Sequence, residues 1–347
     1  MKVLYTYRQL LVFAMAILCL YPSCTSNLPE DLDALGDDVN YSQTLFEPTL
    51  GRNTEYQNPV VTGNSSTLPL TFKIVNPRTV TGQPATELTD KFAVKTWKSI
   101  YTGEEKSLEE IEKKRTTEYR PMLEIQEKSG NIFFWDSGNS GFVKTQPDSG
   151  YIFDVEISNS GGRRFARNLK LKPMKERPYE PSIYSQITGI ATNSSTYPYR
   201  LENLEGERTG NFIFFTDVKV FFHKNLDNKN PGSSLTFSML DSLNKVIDIK
   251  KFDKTDWNNL VHGFNPTFKN GKVTYDVAYP IPLVNLRTRY TDISGTSAVS
   301  NFVFDRKGRS GLVERNIVGL QYSIYEPGHW EIQVRFTGET PQFEDDK

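Results

Sequence analysis

Cysteine is nearly absent. The 347-residue chain has 2, both within the first twenty-four positions. This excludes a disulfide framework, a thiolate nucleophile or a thiolate-held metal from the body of the fold. Histidine is almost as scarce, with 3 copies, and His223, His262 and His329 lack the HxH or HExxH spacing that sets two imidazoles on one metal. Neither sign of charge dominates: 41 Lys plus Arg face 42 Asp plus Glu. The chain therefore lacks the basic surface that tracking a nucleic-acid backbone requires. No G-x-G-x-x-G fingerprint, Walker loop or G-x-S-x-G elbow occurs, so no nucleotide or other cofactor is expected. Asp241, Asp248 and Asp253 are isolated acids without the spacing of a calcium loop. The apolar run Leu10–Leu20 is shorter than the roughly twenty residues needed to cross a bilayer.

What is present begins with an address. Lys2 and Arg8 precede that apolar run in the pattern of a secretory signal peptide over residues 1–23. Leu20-Tyr21-Pro22-Ser23-Cys24 then places a small residue directly before a cysteine. This resembles a bacterial lipobox, although Tyr21 and Pro22 depart from its usual form, and the resemblance implies that Cys24 is acylated. A single acyl chain binds membranes only marginally, so durable anchoring needs several. Residues 24–44 carry Glu30, Asp31, Asp33, Asp37 and Asp38, with no basic residue until Arg52. A like-charged, weakly patterned stretch repels itself, and a flexible tether is expected there. An acidic segment after a lipidated cysteine is similar to the surface-export signals of Bacteroidetes lipoproteins, which implies an outer-membrane protein facing the cell exterior.

The body reads as all-β with one short helix. Ser107 followed by Glu110 matches a capping box, and Leu108 and Ile111 support a helix running toward Arg115. Strands are expected at Leu68–Val75, stopped by Asn76-Pro77-Arg78, and at Asn131–Trp135. Tyr151–Ile157 pairs with a returning strand from Arg163 to Leu171 through a Ser- and Gly-rich turn. Further strands are expected at Asn211–Phe222, Leu235–Leu240, Lys272–Tyr279, Asn301–Phe304, Leu320–Tyr325 and His329–Phe336. In the last, Trp330, Ile332, Val334 and Phe336 share one face. A Pro- and Ser-rich stretch between Met174 and Arg200 sets a domain boundary near Glu180. Two antiparallel β-sandwich modules, immunoglobulin-like or jelly-roll-like, at 45–179 and 180–347 are the economical arrangement; one large sandwich is the alternative.

Paired carboxylates are the one catalytic device this composition leaves open. Asp136, Asp154 and Glu156 can be named, but nothing selects a pair, and Asp154 and Glu156 also fit the solvent face of a strand. Aromatics offer a binding hypothesis, with 17 Tyr and 4 Trp. Trp135 beside Asp136 and Asn139, Trp257 followed by Asn258 and Asn259, and Tyr184 near the boundary are the candidate positions for rings that stack on sugars with amides around them. Trp330, in mid-strand, is expected in the core.

Several phrases together resemble a family of uncharacterised Bacteroidetes lipoproteins. They are the lipobox at Cys24, Phe46–Arg52, Ser66–Phe72, Pro147–Tyr151 with Asp154-Val155, and Arg177–Pro181. The resemblance implies a setting beside glycan-uptake machinery or a role as an adhesin, and it transfers no functional residue. The expectation is a non-catalytic, lipid-anchored surface protein that captures an extracellular glycan or protein. An accessory subunit of an outer-membrane complex is the alternative, and a glycoside hydrolase the third reading.

Overall fold

The computed structural model describes residues 33–308 and 311–345. The lipidation candidate Cys24 lies outside them, as does the beginning of the acidic stretch. From Asp33 onward that stretch enters the fold: Asn40–Tyr41 pairs antiparallel with Val60–Val61, and Val39 and Tyr41 are buried. The Tyr41 hydroxyl donates to the Gly130 carbonyl at 2.9 Å. Residues 39–41, expected within the tether, thus belong to a core, because burying an aromatic ring with a satisfied hydroxyl is favourable while Asp37 and Asp38 stay exposed to water.

Among the described residues the chain is mostly β-strand in several antiparallel sheets, with one short α-helix, Leu108–Lys113. Its buried apolar residues fall into two large clusters, one from Val39 to Leu171 and one from Tyr179 to Phe336. The first centres on a four-stranded sheet ordered Leu45–Phe46, Gly162–Leu171, Tyr151–Asn159 and Thr71–Thr79. The second has a sheet running Val218–Lys224, His329–Phe336, Ser234–Leu240, Lys272–Val277 and Gly263–Lys269. Its strands Ser234–Leu240 and His329–Phe336 pair in parallel. Facing it are Ala298–Lys307 and the long strand Val313–Ile324, and Phe237 meets Phe302 edge-on across the core at 5.4 Å. His329–Phe336 alternates as its sequence requires, with Trp330, Ile332, Val334 and Phe336 buried.

Two expected strands come out differently. Thr71–Thr79 runs on through Asn76-Pro77 where a turn was expected: Asn76 takes φ 53° and the register against Tyr151–Asn159 slips there. A bulge lets a strand keep a proline that cannot donate to the ladder. Asn211–Phe222 forms a strand only from Val218, because Phe215–Asp217 is a 3₁₀ turn whose Asp217 carboxylate accepts from the Phe214 N–H at 3.2 Å. Phe212, Phe214 and Phe215 are left exposed.

Candidate functional site

The two clusters meet along a seam. Tyr101 and Ile111 pack with Ala278 and Leu283 in a small third cluster. Arg115, stacked over Trp97, donates to the Tyr279 carbonyl at 2.7 Å. His262 is buried between them: its Nε2 hydrogen-bonds the Glu105 carbonyl at 3.0 Å, its Nδ1 meets the Tyr101 hydroxyl, and its ring stacks on Tyr290 at 4.7 Å. A carbonyl only accepts, so Nε2 carries a proton. Burial lowers the His262 pKa and so favours the neutral ring, in which Nδ1 accepts from the Tyr101 hydroxyl. The Glu105 carboxylate holds this loop in shape. Burial opposes its charge, but Lys114 and the Thr102 hydroxyl and backbone outweigh that and bring it down to about 2.

Beside these contacts the seam opens into a cleft with two hollows of about 520 Å³ each. The strands Arg115–Pro121, Leu123–Ile125 and Ile132–Phe134 set the wall of the first hollow, presenting Arg115, Arg120, Glu124, Phe133 and Trp135; Tyr279 and Tyr325 face them. Trp135 N donates to the Met122 carbonyl, which extends the strand pairing and fixes the ring's origin. The indole N–H donates to Glu124 Oε2 at 2.7 Å, and Arg120 bonds the other Glu124 oxygen at 2.8 Å. Phe133 and Trp135 lie near-parallel, 17° apart with centroids at 5.7 Å. Asp136 sits at the junction of the two hollows with Tyr325 and Pro327. Its amide is fixed by Asn53 at 2.9 Å, and its carboxylate forms no ion pair among the described residues. Asp136 keeps solvent access through the cleft mouth, yet the protein around it raises its pKa, while its own backbone N–H and Arg115 pull the other way.

The second hollow is lined by Gly51, Ser137, Asn139, Glu176 and Arg177. Asn139 Oδ1 accepts from the Gly141 N–H at 2.9 Å and shapes this loop. A Cβ at Gly138 would lie 2.9 Å from Met122 Sδ and 3.2 Å from Leu50, so a side chain there would have to displace the buried Met122. That close approach seats Ser137 and Asn139 at the hollow. Arg52 lies over Tyr325 at 3.9 Å and, with Arg177, grips Glu180, which pins the facing wall.

Trp135, Asp136 and Asn139 therefore come together in one cleft. The other expected positions lie elsewhere. Trp257 packs on the second core, edge-on to Phe268 at 5.3 Å, and its carbonyl accepts from the Tyr275 hydroxyl. Asn259 bonds Asp256, and Asn258 is exposed beside it. Tyr184 stands edge-on to Tyr179 outside the cleft lining. Asp154 is buried between two bulges, and Asp241 and Asp248 bond local turn amides. Among the described residues no group of three His, Cys, Asp or Glu could hold a metal, and no helix is long and apolar enough to cross a membrane. Sequence reasoning missed Trp97, Arg115, Arg120, Ser137, Arg177 and Tyr325. The alternation in Phe92-Ala93-Val94-Lys95-Thr96-Trp97 was the available signal for the hairpin Lys91–Trp97 with Arg115–Pro121.

The fold and the cleft define a mostly β protein with two apolar cores and an aromatic-walled, polar trough along their seam. The chain belongs to the family described as "Domain of unknown function (DUF5007)", whose model matches residues 60–345. No curated protein and no solved structure matches it.

Proposed function

We propose that the protein is a non-catalytic, cell-surface binding protein that captures an extracellular glycan in the seam cleft. In this reading it is held at the outer membrane by acylation of Cys24, and its two cored halves are sandwich-like modules whose junction forms the site. The Bacteroidetes lipoprotein setting belongs to the same proposal. The observation that carries it is the Phe133 and Trp135 ring pair, with Arg120 over the indole at 5.4 Å, beside the unpaired carboxylate of Asp136. Flat rings take the C–H faces of sugars and a carboxylate accepts their hydroxyls, which is the chemistry of a polyhydroxylated ligand. Absence of catalysis belongs to the same proposal: of the acids that share the cleft with Asp136, Glu124 is held by Trp135 and Arg120 and Glu176 accepts from Ser140. A glycan array followed by calorimetry tests the proposal. Trp135→Ala should weaken binding about tenfold or more, the size expected of one aromatic contact of about 1.4 kcal/mol, while Trp257→Ala should lower stability. Equal binding by wild type and Trp135→Ala would remove the cleft as the site.

A specific observation favours a second reading, an accessory subunit of an envelope complex. Phe212, Phe214 and Phe215 are 61%, 66% and 46% exposed on one loop, an apolar patch of the kind that seats a protein partner. Replacing Phe212 and Phe214 by Ser should leave the folded chain intact and, on this reading, release it from a larger assembly on native gels of solubilised membranes.

A further inference from the structure

Each hollow alone, at about 520 Å³, is within the range of roughly 300–1,000 Å³ that houses one small ligand. The two share Asp136, Tyr325 and Pro327, so they form one trough with a change of chemistry along it. At one end are the rings of Phe133 and Trp135; at the junction is the acceptor Asp136; at the other end are donors. Asn139 lends its Oδ1 to the loop, which leaves its amide N–H groups for a ligand. Ser137 supplies the sharper signal. Its hydroxyl is buried and has no hydrogen-bond partner, although its residue lines the second hollow. A buried polar group without a partner is costly, and in native structures such a group calls for a missing partner. Ser137 itself is only half-buried, so its side chain borders the hollow.

We infer that the trough takes a linear oligosaccharide spanning both hollows, one unit packed against the wall formed by Phe133 and Trp135 and a neighbouring unit held by Ser137 and Asn139. This rests on the glycan reading above and adds the ligand's length and its second contact. Asp136 accepts a hydroxyl near the linkage, and the donors at Ser137 and Asn139 meet sugar oxygens. Ser137 is then a residue that the empty fold does not need and the ligand does.

The test is calorimetry of the purified full chain with cello-, xylo-, malto-, laminari- and chito-oligosaccharides of one to six units, with thermal unfolding of each variant alongside. For at least one series the affinity should rise about tenfold or more from the monosaccharide to a chain of a few units and then level off. Ser137→Ala and Asn139→Ala should each weaken the longest chain several-fold and leave the shortest unchanged, and Ser137→Ala should keep or raise the melting temperature. Affinity already complete with a monosaccharide would overturn the extended ligand and leave the glycan reading standing. A fall in melting temperature for Ser137→Ala would overturn the assignment of its hydroxyl to a ligand. Silence in every series, from a chain that unfolds cooperatively, would overturn both the extended ligand and the glycan reading.

Discussion

Asp154 stands between two bulges, one on each neighbouring strand, where Asn76 and Asn168 adopt φ 53° and 59°. Its carboxylate accepts from the Asn168 N–H at 2.7 Å, from Arg78 at 3.2 Å and from Asn76 at 3.3 Å. Burial disfavours its charge, but these three partners outweigh it and hold the pKa below the ordinary aspartate value. Asp154→Ala should lower stability by about 2–3 kcal/mol at neutral pH, since it leaves a partly buried guanidinium and a backbone N–H unpaired. The sign of the pH dependence follows: the folded pKa lies below the unfolded one, so the contribution is present above about pH 4 and is lost as pH falls further. Urea unfolding of wild type and variant at pH 7 and pH 3 checks both points, and the gap between them should shrink at pH 3. Strand alternation places Asp154 opposite Phe153 and Val155, which is legible in the sequence. That it is buried on that face depends on residues 76, 78 and 168, and no local pattern announces such a meeting.

At the scale of elements, the helix Leu108–Lys113 shows how far local rules reach. The Ser107 hydroxyl accepts from the Glu110 N–H at 3.3 Å, and the Glu110 side chain reaches back to the Lys106 N–H at 2.7 Å, one residue earlier than an ideal capping box. Ser107→Ala should cost about 1 kcal/mol, read as a lower urea midpoint with an unchanged slope. The helix joins Lys91–Trp97 to Arg115–Pro121, and that hairpin presents Trp97, Arg115 and Arg120 to the cleft. Elements with strong period-two patterns, such as Tyr151–Asn159 and His329–Phe336, could be read directly, because each has one face against a core. The run Phe212–Phe215 misleads for the converse reason. Only Ile213 finds the core, and a local carboxylate at Asp217 turns the backbone before a strand can form.

Across the whole molecule, His262 joins the Tyr101–Glu105 loop to the second core with both ring nitrogens in use. Its folded pKa lies below the unfolded value of about 6.5 because burial penalises the cation. The unfolded chain therefore takes up the proton first, so stability is full above about pH 6.5 and falls as pH drops toward the folded pKa. The groups facing the ring do not reverse this: Tyr101 and Tyr290 stay protonated, and Glu105, at about 2, stays ionised throughout the window. Unfolding measured at pH 7.5 and pH 5.5 should show wild type losing more stability between them than His262→Gln, whose amide can keep both hydrogen bonds without titrating. Nothing in the sequence around His262 predicts its partners, since Tyr101 and Glu105 lie more than 150 positions away. By itself the sequence determined the mostly β character, the short helix after Ser107, the hairpin at 151–171 and the scarcity of metal-binding side chains, because each of these follows from spacing and composition over a few neighbouring residues. Only the tertiary structure decided that Trp135 and Asn139 share a cleft while Trp257 serves the core. Packing two cores along a seam brings Tyr325 to the Asp136 loop from far along the chain, and such juxtaposition is set by long-range contacts that no local period encodes.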